Sequence, residues 1–286
     1  MLILASLEDD FPASPMTAVE PRKYYEAFLK AEAVLISAPK SMRESSDRRL
    51  NELTSHFYRG GGEVGALFRK RPDAPDVLTT LWLSSVRELA GWFIAANKIP
   101  PFDGIDEEFL FDLPRQFKEV EDLSNVGPWL AKFGIALVYE DSIPGIKLDG
   151  AVFRALSGQI VVAMSLRYSR LDYYWFTLLH ELAHVVLHAD KLGAPILDDL
   201  EADSEELIEQ QADRLASDSL IRRNEWRSCP ARYTNDPADI EAFAVKQNIT
   251  PQSVAGRLLR ESVRYALFSD IVNKYDVREV LRGIKK

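Results

Sequence analysis

The stretch HELAH at residues 180–184 constrains this chain more than any other feature, because it combines a structural requirement with a chemical one. In an α-helix, residues four apart differ by about 40° in direction and by about 6 Å along the axis. His180 and His184 therefore project from one face of a helix and can hold one small cation. Glu181 points to the side of that face, where a carboxylate can accept a proton from water at the metal. This spacing is typical of the zinc-hydrolase motif H-E-x-x-H.

The sequence around the motif predicts a buried helix from about residue 173 to residue 188, capped by Asp172. Apolar side chains occupy most of its faces, and the histidines are among its few polar interruptions. Two buried imidazoles need a ligand or hydrogen-bond partners, because an unpaired buried polar group costs several kcal/mol. One histidine alone would favour a hydrogen-bonded core residue. Two histidines at this spacing, with Glu181 directly after the first, favour a metal-binding site.

A catalytic zinc needs a third protein ligand, and His188 is the first candidate along the chain. His188 lies about 12 Å along the helix axis from His180 and is rotated by about 80°, so it cannot complete the site. We therefore predict that His188 is a helix-end residue, which is favourable beside the negative end of the helix dipole.

A second helix, predicted from about residue 204 to residue 221, offers carboxylates at a suitable spacing. Glu209 and Asp213 lie four apart on one face, so Glu209 can reach the metal while Asp213 orients a ligand histidine. The alternative is a solvated acidic face, because this part of the chain is rich in carboxylates. The residues that fit that alternative are Asp198, Asp199, Glu201, Asp203, Glu205 and Glu206. From spacing alone, Glu205 and Glu206 stay open beside Glu209 as the third ligand.

The pattern of the whole chain predicts an α+β fold that is mainly helical, with a small three-stranded sheet packed beside the H-E-x-x-H helix. This arrangement is zincin-like. The strands are expected at residues 135–139, 150–154 and 159–164, which are rich in β-branched residues and bounded by turn signals. Two roles stay open for the third strand. It is either an edge strand that pairs with an extended substrate or a plain core strand.

Composition and the order of elements predict three regions and a cytoplasmic protein. The regions are a helical one at 1–103 with no assigned role, a domain at 104–222 that its H-E-x-x-H motif indicates is a zincin-like metallopeptidase, and a helical one at 223–286 packing on it. Cys229 is the single cysteine, so no internal disulfide forms and a reducing compartment is expected. Neither a secretory signal nor an apolar run of about 20 residues is present, so we expect no membrane partner.

Direct nucleic-acid binding is not expected. The net charge of −9 argues against a chain whose main task is to coat DNA phosphates. The nearest basic feature combines residues 59–62 with residues 69–71, and its simpler interpretation is a flexible loop and a solvated face. The sequence defines no oligomeric state.

These motifs together resemble the ImmA/IrrE-type metallopeptidases. The similarity covers roughly residues 129–220: a strand pair, the segment YWFTLLHELAHVVLH, and EQQADRLA at residues 209–216, which follows the pattern E-x-x-A-(N/D)-x-(F/L)-A. The chain departs from the family's Leu-Leu-x-Pro ending with SLIR at residues 219–222, which leaves the metal residues untouched. The resemblance implies His180, His184 and Glu209 as zinc ligands and Glu181 as the catalytic base.

The resemblance further implies an intracellular, Zn²⁺-dependent endopeptidase that cleaves a regulatory protein, such as a helix-turn-helix repressor, in stress response or mobile-element control. Candidates for stabilising the oxyanion are Tyr173, Tyr174, Tyr233 and Arg167. An alternative is a non-proteolytic regulatory or antitoxin-like binding protein that retains a zinc site. The presence of Glu181 argues against this alternative, because a domain that does not cleave peptide bonds has no need of a catalytic base. A small-molecule metallohydrolase would require a deep, closed pocket.

Overall fold

The computed structural model describes residues 21–37, 46–58, 76–198, 207–234, 236–261 and 268–283. Several residues weighed from the sequence lie outside these ranges, among them residues 59–62 and 69–71, Glu205 and Glu206. Contacts between Cα atoms divide the chain into two compact units, residues 1–61 and 62–286. The predicted regional boundaries at residues 103 and 222 stay predictions.

The first unit contains two helices that pack against each other, α1 (Pro21–Ser37) and α2 (Ser46–Tyr58). Ala31 and Leu53 are among their fully buried side chains, and Tyr24 meets Tyr58 edge-on with ring centroids 5.7 Å apart. The two helices thus pack together through an apolar stripe on each of them.

The second unit contains a four-stranded sheet. Its strands are β1 (Ile135–Tyr139), β2 (Gly150–Arg154), β3 (Ile160–Met164) and β4 (Ile196–Asp198), in the spatial order β1-β3-β2-β4. β3 runs parallel to β1 and antiparallel to β2, and β2 runs antiparallel to β4. The mainly helical α+β class is confirmed, and the sheet has one short strand more than predicted.

β3 lies in the interior of the sheet, so its interpretation as a substrate-pairing edge strand is wrong. β1 and β2 flank it, and all five of its side chains are buried. The chain makes the β2–β3 hairpin after β1 and then returns β3 to the side of β1. The edges of the sheet are β1 and β4.

The described part of the second unit also contains ten α-helices. They are α3 (Asp76–Asn97), α4 (Glu107–Gln116), α5 (Leu123–Ala131), α6 (Leu171–Leu187), α7 (Leu207–Leu220), α8 (Arg223–Arg227), α9 (Pro237–Gln247), α10 (Pro251–Glu261), α11 (Ser269–Val272) and α12 (Val277–Leu281). Of these helices, α3, α5 and α6 pack against the sheet. The described helices include none with the length and apolar character needed to cross a bilayer.

Helix α6 carries the H-E-x-x-H residues and is buried on nearly all sides. It packs against β2 and β3 and against α4, α7 and α10. Asp172 is not its cap as predicted, because the helix begins at Leu171 with Arg170 in the cap position. The carboxylate of Asp172 instead accepts two hydrogen bonds from the Arg170 guanidinium, at 2.9 and 2.7 Å.

Two arginines from other helices fix the end of α7, where the chain departs from the family pattern. The last carbonyls of a helix lack partners within it. Arg115 of α4 donates to the carbonyls of Ser219 and Leu220, and Arg257 of α10 donates to those of Ser217 and Ile221. These bonds tie α7 to its neighbours and so fix the helix that bears Glu209.

Cys229 provides a test of the packing of the second unit. Its side chain is fully buried, and burial raises the pKa of its thiol, so the reactive thiolate is disfavoured. We expect a thiol reagent such as dithionitrobenzoate to react at least about 100-fold more slowly with the native than with the urea-unfolded protein. Equal rates in the two states would show that this part of the core opens readily.

Candidate metal centre

His180 and His184 meet on one face of α6, as their spacing requires. Their side chains are buried, and the two Nε2 atoms lie 3.1 Å apart. At this distance both ring nitrogens can direct a lone pair to the same point, where one metal ion could bind.

Glu209 enters the same point from α7. Its Oε2 lies 3.3 Å from Nε2 of His180 and 3.5 Å from Nε2 of His184, and the residue is buried. Although burial raises the pKa of Glu209, its contacts with the two histidines hold that pKa below the usual value. The structure thus brings together the three residues that the resemblance implies as ligands.

Asp198, the last residue of β4, supplies a further carboxylate that the sequence interpretation missed. Its Oδ2 lies 3.3 Å from Nε2 of His180 and 3.5 Å from Nε2 of His184. Asp198 is buried, so the alternative of a solvated acidic face does not hold for this residue. The apolar pair Ile196 and Leu197 directly before it was the available signal, because it is typical of a short strand.

The four donor atoms have the spacing of a tetrahedral zinc site. Bonds of about 2.0–2.1 Å from zinc to nitrogen or oxygen place any two ligand atoms about 3.3–3.4 Å apart. The five separations that involve a histidine nitrogen range from 3.1 to 3.5 Å. All four atoms lie within 4.8 Å of one another. Their number, chemistry and spacing therefore fit a small divalent cation.

The electrostatics of the cluster also call for a cation. Burial lowers the pKa of His180, but Asp198, Asp213 and Glu209 raise it well above its ordinary value. Three carboxylates are buried here, those of Glu181, Asp198 and Glu209. Buried charges of one sign need a partner of the other, and a metal ion at the centre provides it.

Asp213 lies where its predicted role requires. Its Oδ1 is 2.9 Å from Nδ1 of His180, and the side chain is half-exposed. A carboxylate accepts hydrogen bonds, so Nδ1 of His180 carries the hydrogen in this pair and Nε2 is the nitrogen that faces the cluster. A metal would take the place of the proton that the raised pKa of His180 favours on Nε2, and Asp213 keeps the ring oriented for it.

His188 performs the corresponding task for His184. It follows α6 directly, and its Nδ1 lies 3.0 Å from Nδ1 of His184. Its Nε2 lies 3.1 Å from Oε1 of Gln211, an acceptor, so Nε2 of His188 carries the hydrogen. Nδ1 of His188 then accepts the hydrogen on Nδ1 of His184. This relay leaves Nε2 of His184 free for a metal.

Breaking the relay should weaken metal binding without removing a ligand. We expect His188→Ala and Gln211→Ala each to lower zinc affinity by about 10- to 100-fold, as measured by competition with a chromogenic chelator. The control is Gln247→Ala, which removes an amide bonded to Glu225 on another part of the surface. Unchanged affinity in both relay variants would show that His184 is oriented by packing alone.

Glu181 lies beside the cluster in a space that Gly150 leaves open. A Cβ on residue 150 would overlap Oε1 of Glu181. Glu181 is fully buried, and neither of its oxygens has a hydrogen-bond partner among the described residues. Burial raises the pKa of Glu181, and the neighbouring charge of Asp198 raises it further. Such a carboxylate is costly to the fold and suited to accepting a proton.

The four candidates for an oxyanion donor have contacts elsewhere. Tyr174 shares a hydrogen bond of 3.0 Å with Tyr139, and the exposed Tyr233 donates to the carbonyl of Arg227. Arg167 pairs with Asp149 at 3.5 Å. The ring of Tyr173 packs on that of Tyr168, with centroids 4.4 Å apart.

The segment that contains this cluster matches the model of a known protein family. Residues 131–259 match the model of the IrrE N-terminal-like domain, Peptidase_M78. The matched segment contains α6, β4 and α7, and thus every residue of the cluster. The resemblance seen in the sequence is confirmed. A comparison with curated proteins found no match.

Proposed function

We propose that residues 131–259, which match a peptidase family, form a zinc-dependent endopeptidase that acts in the cytoplasm. The observation that carries this proposal is the set of four donor atoms at tetrahedral spacing with the unpaired carboxylate of Glu181 beside them. The family match supports peptide bonds as the target.

The residues of the cluster have separable tasks in this proposal. His180, His184 and Glu209 would hold zinc, which polarises a peptide carbonyl and acidifies water when bound. Asp213 and the His188 relay keep the histidine rings in the metal-binding form. Glu181 takes one proton from the attacking water and passes it to the leaving amine, so the carboxylate is regenerated in each cycle.

A regulatory protein such as a helix-turn-helix repressor is the proposed substrate, in stress response or mobile-element control. This part of the proposal rests on the family resemblance. The net charge of −9 agrees with a protein rather than nucleic acid as the partner.

One observation favours a second function, a non-proteolytic regulatory protein that retains zinc. Four protein donors would close the metal site, which is typical of structural zinc. Glu181 separates the two functions, because a structural site has no use for a buried carboxylate without hydrogen-bond partners.

The test is to measure zinc by mass spectrometry and to co-express the protein with the products of adjacent genes. We expect about one zinc per chain and one partner cut at a defined bond. His184→Leu should lose the zinc and the cleavage together. A protein that retains zinc and binds a partner without cutting it would favour the second function, and a protein without zinc would contradict both.

A further inference from the structure

Asp198 stands at the corner of the cluster that a catalytic site should leave open. Catalytic zinc sites have three protein ligands and a fourth position for water or substrate. His180, His184 and Glu209 are the three implied ligands here, and Oδ2 of Asp198 occupies the remaining corner. The described conformation therefore has no free position.

The strand that carries Asp198 is short and lies at an edge of the sheet within the described residues. β4 has three residues and pairs on one side, with β2. Its last residue, Asp198, is held there by a backbone bond of 2.7 Å from the amide of Asp149. Short edge strands have few ladder bonds to lose, so β4 can detach while β1, β2 and β3 stay paired.

The pairing of β4 also places Asp198 beside the catalytic base. Asp198 lies opposite Gly150 in the β2–β4 register, and Glu181 fills the space above Gly150. Water must lie between Glu181 and the metal for Glu181 to take its proton. Asp198 thus occupies the corner next to the base, where that water belongs.

We propose that Asp198 is an internal inhibitory ligand, which fills the fourth position on the metal at rest and must be displaced before a peptide is cut. The inference rests on the proposed zinc site. An inhibitory role for Asp198 explains why four protein donors surround the metal position and why Glu181, which a structural zinc site would not need, lies beside them. Substrates able to pull β4 from β2, or to compete for the metal, would be cut in preference to others.

The experiment loads the full-length protein with Co²⁺, whose visible spectrum reports its ligands, and titrates it with acetohydroxamate. If Asp198 occupies the fourth position in most molecules, acetohydroxamate can bind only the remaining fraction. Its apparent Kd then equals the intrinsic Kd divided by that fraction. We expect Asp198→Ala and Asp198→Asn to bind acetohydroxamate at least about 10-fold more tightly than the wild type. The asparagine variant keeps the volume of the side chain and guards against a folding defect in the alanine variant.

The matched control is Asp190→Ala, which removes an exposed aspartate from the same segment between α6 and β4. It should behave as the wild type. Equal hydroxamate affinity in wild type and both Asp198 variants would overturn the inference while leaving the zinc site intact. Loss of Co²⁺ from both variants would overturn it as well, because Asp198 would then be an essential ligand. Failure of the wild type to take up Co²⁺ or Zn²⁺ would instead contradict the proposed function itself.

Discussion

Glu181→Gln is expected to retain zinc and to reduce cleavage of the partner protein by about 10²- to 10⁴-fold, the usual contribution of a general base. Glutamine has nearly the volume of glutamate but cannot accept and release a proton. Neither oxygen of Glu181 has a hydrogen-bond partner among the described residues, so the exchange breaks no bond there. Initial rates of product formation, with zinc content measured on the same samples, test this expectation.

The free energy of unfolding of Glu181→Gln provides a second measurement. Burial raises the pKa of Glu181, which means that the fold disfavours the ionised form. The neutral amide should therefore leave the free energy of unfolding of the metal-free protein unchanged or higher at neutral pH. Glu241→Gln, an exposed site on α9, is the matched control for both measurements. Full cleavage by Glu181→Gln would exclude Glu181 as the base and with it the proposed mechanism.

Gly150→Ala should damage both stability and catalysis although residue 150 carries no reactive group. The added Cβ would overlap Oε1 of Glu181, so either β2 or the carboxylate must move. Overpacking of this kind costs about 1–3 kcal/mol. A shift of about 1 Å in a catalytic group costs about 100-fold in rate. Urea denaturation and initial cleavage rates measure the two effects.

A double-mutant cycle tests the cause of this damage. If the clash with Glu181 is responsible, Gly150→Ala should cost less stability in a Glu181→Ala background than in the wild type. The control is Gly193→Ala, because a Cβ at that exposed position would meet nothing within 4 Å. Equal costs in the two backgrounds would mean that Gly150 serves the backbone of β2 and not the base.

The local geometry of the site could be predicted because it depends on helical spacing. His180 and His184 share a face whatever surrounds them, and the same holds for Glu209 and Asp213 on α7. The three predicted strands and the mainly helical class also follow from local patterns, since β-branched runs and turn residues lie next to each other in sequence.

The features that could not be predicted from the sequence depend on contacts between segments that are distant along the chain. Asp198 is surrounded by other acidic residues in sequence, and its burial comes from pairing β4 with β2, about 46 residues earlier. β3 looked like a possible edge because its sequence does not show that it returns to the side of β1. The role of His188 depends on Gln211 of α7, a contact that helical geometry along α6 alone could not reveal.

The donor atoms of the cluster come from three separate elements, α6, β4 and α7, so the proposed zinc ion would affect the lifetime of the protein as well as its chemistry. An ion bound to all three acts as a cross-link, and its stabilisation of the folded state grows with the logarithm of its free concentration. When zinc is scarce, the buried carboxylates of Asp198 and Glu209 lose their contact with the ion, and the region opens more often to proteases. The amount of this protein in a cell should therefore follow the supply of zinc.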